Sequence, residues 1–168
     1  IQAVADAPQL TSSDAAGSED TAIALDLSTA LVDTDGSESL SLSVSGVPNG
    51  AVLSDGQTTI TGDGVSAYDL TSWDLDSLTI VAPPNSDVDF QLDFSATTTE
   101  TRGGDTATSQ TDITVVVDPV TDTPTLVVQD AQVVEDQSVD LEISATLTDL
   151  DGSETLSLAL DGLSLIHI

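Results

Sequence analysis

The chain has 168 residues and sets 30 acidic side chains against a single arginine, which gives a formal net charge of −29. A chain of this charge repels phosphate backbones and anionic lipid surfaces, so we expect no nucleic acid partner and no membrane insertion. Cysteine is absent, which excludes a disulfide framework and thiolate metal sites. The apolar content of 39%, with regularly spaced aliphatic residues, argues against a disordered chain.

Apolar and polar residues alternate in several stretches, and this period of two predicts β-strands. In chain order the apolar positions are Ile23, Leu25 and Leu27; Leu40, Leu42 and Val44; Leu78, Ile80 and Ala82; Val88, Phe90, Leu92 and Phe94; and Ile113, Val115 and Val117. Turn signals separate these stretches, and only residues 67–78 could hold a helical turn. Strands with one apolar and one polar face predict an all-β sandwich of two antiparallel sheets.

The sequence contains a long internal repeat. Residues 8–47 align without a gap with residues 124–163, and 18 of those 40 positions are identical at a spacing of 116 residues. This period fits a whole small β domain, so it predicts tandem domains. We expect a sandwich repeat at 1–118, a linker at 119–123 and the truncated start of a second repeat at 124–168, within a longer protein. The tail 164–168 departs from the repeat and is interpreted as a boundary artefact.

A short acidic motif, D-x-D-G-S-E, occurs once in each copy. In the first copy it contains Asp33, Asp35 and Glu38. If the first strand leaves the N-terminal linker and the second returns to it, this loop lies at the end nearest the preceding domain. The loop with Glu19 and the end of the last strand, at Asp118, then lie at the opposite end.

The junction between two copies is therefore expected to gather many carboxylates. The candidates are Glu19 and Asp118 of the first repeat, Asp122 of the linker, and Asp149, Asp151 and Glu154 of the second repeat, in which Glu135 corresponds to Glu19. Close carboxylates repel each other unless a cation lies between them. Ca²⁺, which takes about six to eight oxygen ligands, fits such a site better than Mg²⁺, which retains its waters in a strict octahedron.

A solvated acidic surface, as in halophilic proteins, is the alternative interpretation of these acids. Against it, the acids lie at the ends of predicted strands and recur at identical spacing, as Asp33 and Asp149 do. Asp87, Asp89 and Asp93 are different, because they fall on the polar face of a predicted strand. We expect those three side chains to be only solvated.

The stretches "SEDTAIALDLSTALVDTDGSESLSLSVSGVPNGAVLSDG" and "DTATSQTDITVVVDPVTDTP" resemble the cadherin-like, Ig-like extender repeats of giant bacterial RTX adhesins and related biofilm surface proteins. The resemblance covers roughly residues 1–163. It implies an Ig-like or cadherin-like sandwich in a secreted stalk on the bacterial cell surface, in a monomeric chain whose partners are its own neighbouring repeats. The stalk would hold a ligand-binding tip away from the cell, in adhesion or biofilm formation.

The same resemblance implies that Ca²⁺ stiffens the junctions between repeats. By analogy with cadherins, the residues that share the junction ions are Glu19, Asp118, Asp122, Asp149 and Asp151. The linker departs from the D-x-N-D-N pattern of cadherins, which leaves the number of ions per junction open.

An enzyme and a ligand-binding module are the competing classes of function. The chain has no cysteine or lysine and a single histidine in its tail, so no nucleophile–base pair can be assembled. A carboxylate pair for glycoside cleavage cannot be distinguished from the surrounding acids, and we expect no enzyme. The alternative function is a carbohydrate- or surface-binding face formed by Trp73 and the threonine-rich stretch 95–111. Strand propensity alone explains the threonines, and Trp73 and Tyr68 are expected to pack at the core or its rim.

Overall fold

The alternating stretches form strands, and the fold is all-β. The computed structural model describes residues 4–162, and the chain divides into two units, Ile1–Val120 and Thr121–Ile168. The strands of the first unit are β1 (Gln9–Ser13), β2 (Ala15–Ser18), β3 (Ile23–Ala24), β4 (Asp26–Ala30), β5 (Glu38–Ser45), β6 (Val52–Ser54), β7 (Thr59–Thr61), β8 (Tyr68–Asp69), β9 (Thr79–Val81), β10 (Phe90–Glu100) and β11 (Thr106–Asp118). One turn of 3₁₀ helix, Leu75–Ser77, lies inside the stretch where the sequence permits a helical turn.

Two main sheets form the sandwich of the first unit. The larger sheet has the strand order β2-β11-β10-β5-β8, and the smaller has the order β3-β9-β6-β7, while β1 pairs with β4. All pairings are antiparallel except that of β2 with β11, which is parallel and aligns Ala15 with Val115. The expectation of an all-β sandwich is therefore confirmed, with one parallel pair that the alternation of side chains cannot distinguish.

The core contains apolar side chains from both sheets. The larger sheet buries Leu42, Val44, Leu92, Phe94, Ala96, Ile113, Val115 and Val117, and the smaller sheet buries Ile23, Leu53 and Ile80. Burial of this aliphatic surface stabilises the fold by roughly 25 cal/mol for each Å² removed from water. Leu78 and Ala82, at the two ends of β9, are buried as well, as their alternation with Ile80 predicts.

The structure departs from the predicted strands at two places. The stretch from Ile23 to Leu27 divides into β3 and β4, because Leu25 donates its N–H to the Leu78 carbonyl at 2.9 Å and the next residues pair with β1 instead. Strand β10 begins at Phe90, and Val88, which was expected in the core, is 65% exposed. Just before β10, Asp89 accepts a hydrogen bond from the Val117 N–H at 2.9 Å, so the prediction that Asp89 is only solvated is wrong.

The second unit contains β12 (Thr125–Val128) and β13 (Ile143–Thr146), which pair antiparallel. Leu141, Leu156 and Leu158 are exposed, and Ile143 is half-buried. No helix in residues 4–162 is long and apolar enough to span a membrane. The tail 164–168, which the sequence sets apart from the repeat, lies outside the described residues.

Candidate metal centre

Two glutamates lie at one end of the inner face of the larger sheet. Glu38 is the first residue of β5 and Glu100 is the last residue of β10, and the antiparallel register places them directly opposite each other. Glu38 has the same strand parity as Leu42 and Val44, which are buried in the core. The two carboxylates are themselves buried, with Glu38 9% and Glu100 4% exposed.

Each of these carboxylates has one oxygen with a hydrogen-bond donor and one without. Glu38 Oε1 accepts from the Asp6 N–H at 2.7 Å, and Glu100 Oε1 accepts from the Ser37 hydroxyl at 3.4 Å. The Oε2 atoms of Glu38 and Glu100 are buried and have no hydrogen-bond partner. A buried carboxylate oxygen without a donor or a cation is costly, so this pair calls for a positive ligand or a proton.

The loop before β5 holds its aspartates in two consecutive turns. The Asp35 N–H donates to Asp33 Oδ1 at 2.9 Å, and the Ser37 N–H donates to Asp35 Oδ1 at 2.8 Å. Gly36 lies between them at a φ of +89°, a conformation that other residues adopt only with strain. These bonds fix the two carboxylates beside the start of β5. We call Asp33, Asp35, Glu38 and Glu100 the N-terminal acidic site.

The N-terminal segment crosses this end of the sandwich. Besides the bond from Asp6 to Glu38, the Ala5 N–H donates to Asp105 Oδ2 at 2.9 Å, and the Thr98 hydroxyl donates to the Asp6 carbonyl. Asp105 belongs to the turn between β10 and β11, and its carbonyl accepts from the Glu100 N–H at 2.9 Å. The segment is therefore held against the same hairpin that carries Glu100.

The charges of the N-terminal acidic site act on one another. Burial and then the charge of Glu38 raise the pKa of the Glu100 carboxyl, and Asp35 and Asp33 add smaller contributions that the Ser37 hydrogen bond opposes. The hydrogen bonds from Ser37 instead lower the pKa of Asp35. The charged form is thus favoured at Asp35 and disfavoured at Glu100.

The opposite end of the first unit carries Glu19, which follows β2. Its N–H donates to the Asp118 carbonyl at 3.0 Å, and its Oε1 accepts from the Val120 N–H at 2.6 Å. The structure thus places Glu19 beside the end of β11, where the sequence argument expects it. Asp118 itself is exposed.

The acidic loop of the second unit repeats the geometry of the first. The Asp151 N–H donates to Asp149 Oδ1 at 2.9 Å, and the Ser153 N–H donates to Asp151 Oδ1 at 2.8 Å. The Asp122 N–H donates to Glu154 Oε1, as Asp6 does to Glu38 116 residues earlier. Glu154 Oε2, like its counterpart in the first unit, is buried without a hydrogen-bond partner.

The remaining candidate of the second unit is not part of this loop. Glu135 is exposed and precedes Asp136, whose φ of 61° repeats the φ of 55° at Asp20 in the first copy. Carboxylate oxygens of Asp149 and Asp151 lie within 4.8 Å of each other. This aspartate pair offers carboxylate oxygens that could serve as metal ligands.

The donor set determines which ion these residues fit. The donors are carboxylate oxygens, with no cysteine in the chain and no histidine among the candidates. Hard oxygen donors favour Ca²⁺ or Mg²⁺ over zinc and other transition metals. The buried oxygens without partners at Glu38, Glu100 and Glu154 meet the requirement of such a site for oxygens that are not already engaged.

Sequence reasoning missed Glu100, although the signal for it was present. The inward-facing positions of β10 run Leu92, Phe94, Ala96 and Thr98, and Glu100 continues this parity. An acidic residue at an inward position at the end of a strand is buried unless the strand frays, so it requires a partner. Glu100 is not among the ligands predicted from the sequence.

The aromatic residues considered for sugar binding are packed against the sandwich core. Trp73 and Tyr68 are partly buried and contact the core cluster. The Tyr68 hydroxyl accepts from the Asp63 N–H at 3.0 Å and lies 3.3 Å from the Thr61 carbonyl, to which it donates. Packing at the rim of the core accounts for both side chains, as the sequence analysis expects.

Comparison of the chain with models of known protein families, with curated proteins and with solved structures finds no match.

Proposed function

We propose that this chain is a structural extender repeat in the stalk of a secreted bacterial cell-surface adhesin, stiffened by Ca²⁺ at the junctions between domains. The stalk supports cell adhesion and biofilm formation by carrying a binding tip away from the cell. The resemblance of the sequence to RTX adhesin extender repeats supplies this function, and the features below support it.

The strongest support for the proposal is the geometry of the D-x-D-G-S-E loop, which is the same in both units. The hydrogen bonds that orient the D-x-D-G-S-E loop recur 116 residues apart, from Asp35 to Asp33 in the first unit and from Asp151 to Asp149 in the second. A solvated acidic surface has no need to hold the same carboxylates in the same turns in two copies. A cation site does, because its affinity depends on ligands that are placed before the ion arrives.

The residues that we propose as calcium ligands at the junction are those predicted from the sequence. We propose that Glu19 and Asp118 at the end of one repeat, Asp122 of the linker, and Asp149 and Asp151 of the next repeat bind Ca²⁺. Glu154 orients the linker through its bond from the Asp122 N–H. Bound Ca²⁺ would restrict the angle between consecutive domains, because the junction acids repel each other when no cation is present.

The experiment is a tandem chain with two complete repeats, in which residues 8–120 follow residues 1–123. Small-angle scattering with chelator and with millimolar Ca²⁺ should show a narrower length distribution and a larger maximum dimension when the ion is present. Thermal unfolding should also shift upward, since a hundredfold excess over Kd contributes about 2.7 kcal/mol for each site.

A matched pair of variants separates the junction from the rest of the chain. Asp33→Asn with Asp35→Asn in the second copy removes ligands of the junction, and the same double substitution in the first copy leaves the junction intact. The extended form should be lost only in the former. Equal scattering with and without Ca²⁺ in the unsubstituted tandem would show that the stalk is not calcium-stiffened.

A further inference from the structure

We infer that the second unit carries a docking face for a β-strand of another polypeptide. The face is formed by the exposed side chains of Leu156, Leu158 and Leu160, and we call it the leucine face. The strand that fits it has apolar side chains at alternate positions, as β10 does. This inference goes beyond the proposed function and does not rest on it, because it requires neither a calcium ion nor a stalk.

The exposure of the leucine face is the first support. Leu158 and Leu160 are each 56% exposed. Leu42 and Val44, which precede them by 116 residues, are 3% and 1% exposed in the core of the first unit. The same alternating pattern is therefore core in one unit and surface in the other. Clustered apolar side chains at a protein surface mark a site of interaction.

The first unit shows what covers these positions. There β10 runs beside β5 and places Phe94 opposite Val44 and Ala96 opposite Leu42. Both of these β10 side chains are buried. Residues 154–161 align with β5 in the sequence, but they belong to none of the strands in the described part of the chain. The second unit thus has one half of a contact that the first unit has in full.

Strand addition is the recognition mode that this arrangement fits. An extended segment that adds beside residues 154–161 would bind through main-chain hydrogen bonds. Its alternate side chains would cover Leu158 and Leu160, as Ala96 and Phe94 cover Leu42 and Val44 in the first unit. A partner with polar residues at both sets of positions would leave the leucine face in water.

The charge of the second unit defines the partner further. Residues 121–168 contain ten acidic residues and no lysine or arginine. A strand with basic side chains between its apolar positions should therefore bind more tightly than one with acidic side chains there. In β10 one of these intervening positions is Asp93, which is exposed. The partner that fits best is an extended segment with one apolar and one basic face.

The test is titration of the full chain, in chelator, with a synthetic peptide that has the sequence of residues 88–100. Calorimetry should show saturable binding of one peptide per chain. Leu158→Ser should weaken binding at least about tenfold, because it removes an apolar side chain from the contact. Leu150→Ser is the matched control, since Leu150 is 83% exposed and its counterpart in the first unit, Thr34, is exposed as well. It should leave binding unchanged.

Variants of the peptide test the same contact without altering the protein. Phe94→Ser in the peptide should weaken binding by a similar factor. Asp93→Lys in the peptide should strengthen binding several-fold, and this gain should shrink as salt is added, because salt screens exposed charges. Equal binding by the unsubstituted peptide and its Phe94→Ser variant would overturn the inference.

Amide NMR of the unsubstituted chain locates the bound peptide. The signals of Leu156, Leu158 and Leu160 should shift, and those of Leu42 and Val44 should not. Shifts confined to the first unit would mean that the peptide exchanges with β10, and absence of binding would reject the docking face. Sedimentation without peptide is the remaining control. A dimer that Leu158→Ser abolishes would make a second copy the occupant and overturn the inference.

The docking face and the proposed stalk can fail separately, because the peptide is added in chelator. Peptide binding together with calcium-independent scattering of the tandem chain would reject the stalk function alone. Calcium-dependent scattering without peptide binding would reject the docking face alone.

Discussion

Glu38 and Glu100 face each other across β5 and β10 at the end of the inner face of the sandwich, and each has a buried oxygen without a hydrogen-bond partner. The core thus ends in two acidic residues where its strands otherwise supply leucine, valine and phenylalanine. This arrangement makes the stability of the fold depend on whatever compensates the two charges.

Neutralising one member of this pair should have opposite effects with and without Ca²⁺. In chelator, Glu100→Gln should raise the melting temperature by several degrees, because it removes repulsion between buried like charges. In millimolar Ca²⁺, the unsubstituted chain should gain more than the variant does, because it retains all its ligands. Melting curves at matched ionic strength, with Glu142→Gln as the charge control, measure both effects. A variant that melts below the unsubstituted chain in chelator would show that the pair is not repulsive.

Gly36 should matter for both stability and binding. Its φ of +89° means that Gly36→Ala costs about 1 kcal/mol of stability. The strain falls between Asp35 and Ser37, so Ca²⁺ affinity at the N-terminal acidic site should decrease as well. Urea unfolding measures the stability, and calorimetry measures the affinity.

Gly56→Ala is the matched control for Gly36→Ala. Gly56 has a φ of +84° and, like Gly36, has no atom within 4 Å of the position of an added Cβ. Both variants should lose similar stability, but only Gly36→Ala should lose Ca²⁺ affinity. If both variants lost Ca²⁺ affinity equally, the loss would follow from the lower stability of the fold and not from a change in the acidic loop.

Asp63 should make the fold sensitive to acid. Hydrogen bonds from the Ser66 hydroxyl, the Ser66 N–H and the Val65 N–H lower the pKa of Asp63 well below its ordinary value of 3.8. A depressed pKa in the folded state contributes stability above pH 3.8, and that contribution disappears as the pH falls through the folded-state pKa. The difference in unfolding free energy between the unsubstituted chain and Asp63→Asn should therefore shrink between about pH 5 and pH 2. Asp130→Asn corrects for the change in net charge, and a difference independent of pH would contradict the assignment.

Trp73 should contribute to stability rather than to ligand binding. It is partly buried against the core cluster, so Trp73→Ala should cost about 2 kcal/mol of stability. Trp73→Phe should recover most of this loss, because an aromatic ring still fills the site. Glycan arrays probed with the full chain and with Trp73→Phe test the alternative function. Glycan binding that disappears in the well-folded Trp73→Phe variant would favour the carbohydrate-binding alternative.

The sequence by itself determined the fold class and the position of the acidic loops. Alternation at Leu92 and Phe94 identifies inward-facing residues because successive side chains of a strand point to opposite faces. The repeat at 116 residues identifies Asp33, Asp35 and Glu38 as a motif rather than as scattered charge. These are local signals, and they remain valid in any sandwich that contains these strands.

Only the tertiary structure decided which carboxylates meet. Glu38 and Glu100 are 62 residues apart in sequence, and their contact depends on the register between β5 and β10. A shift of that register by one residue would move every side chain of a strand to the other face, and alternation alone does not say which residue lies opposite which. Alternation also does not predict that the stretch around Leu25 divides into β3 and β4, or that β2 pairs with β11 in parallel, for the same reason. Pairing between distant strands is set by packing of the whole core, so a site built from two strand ends becomes visible only when the fold is complete.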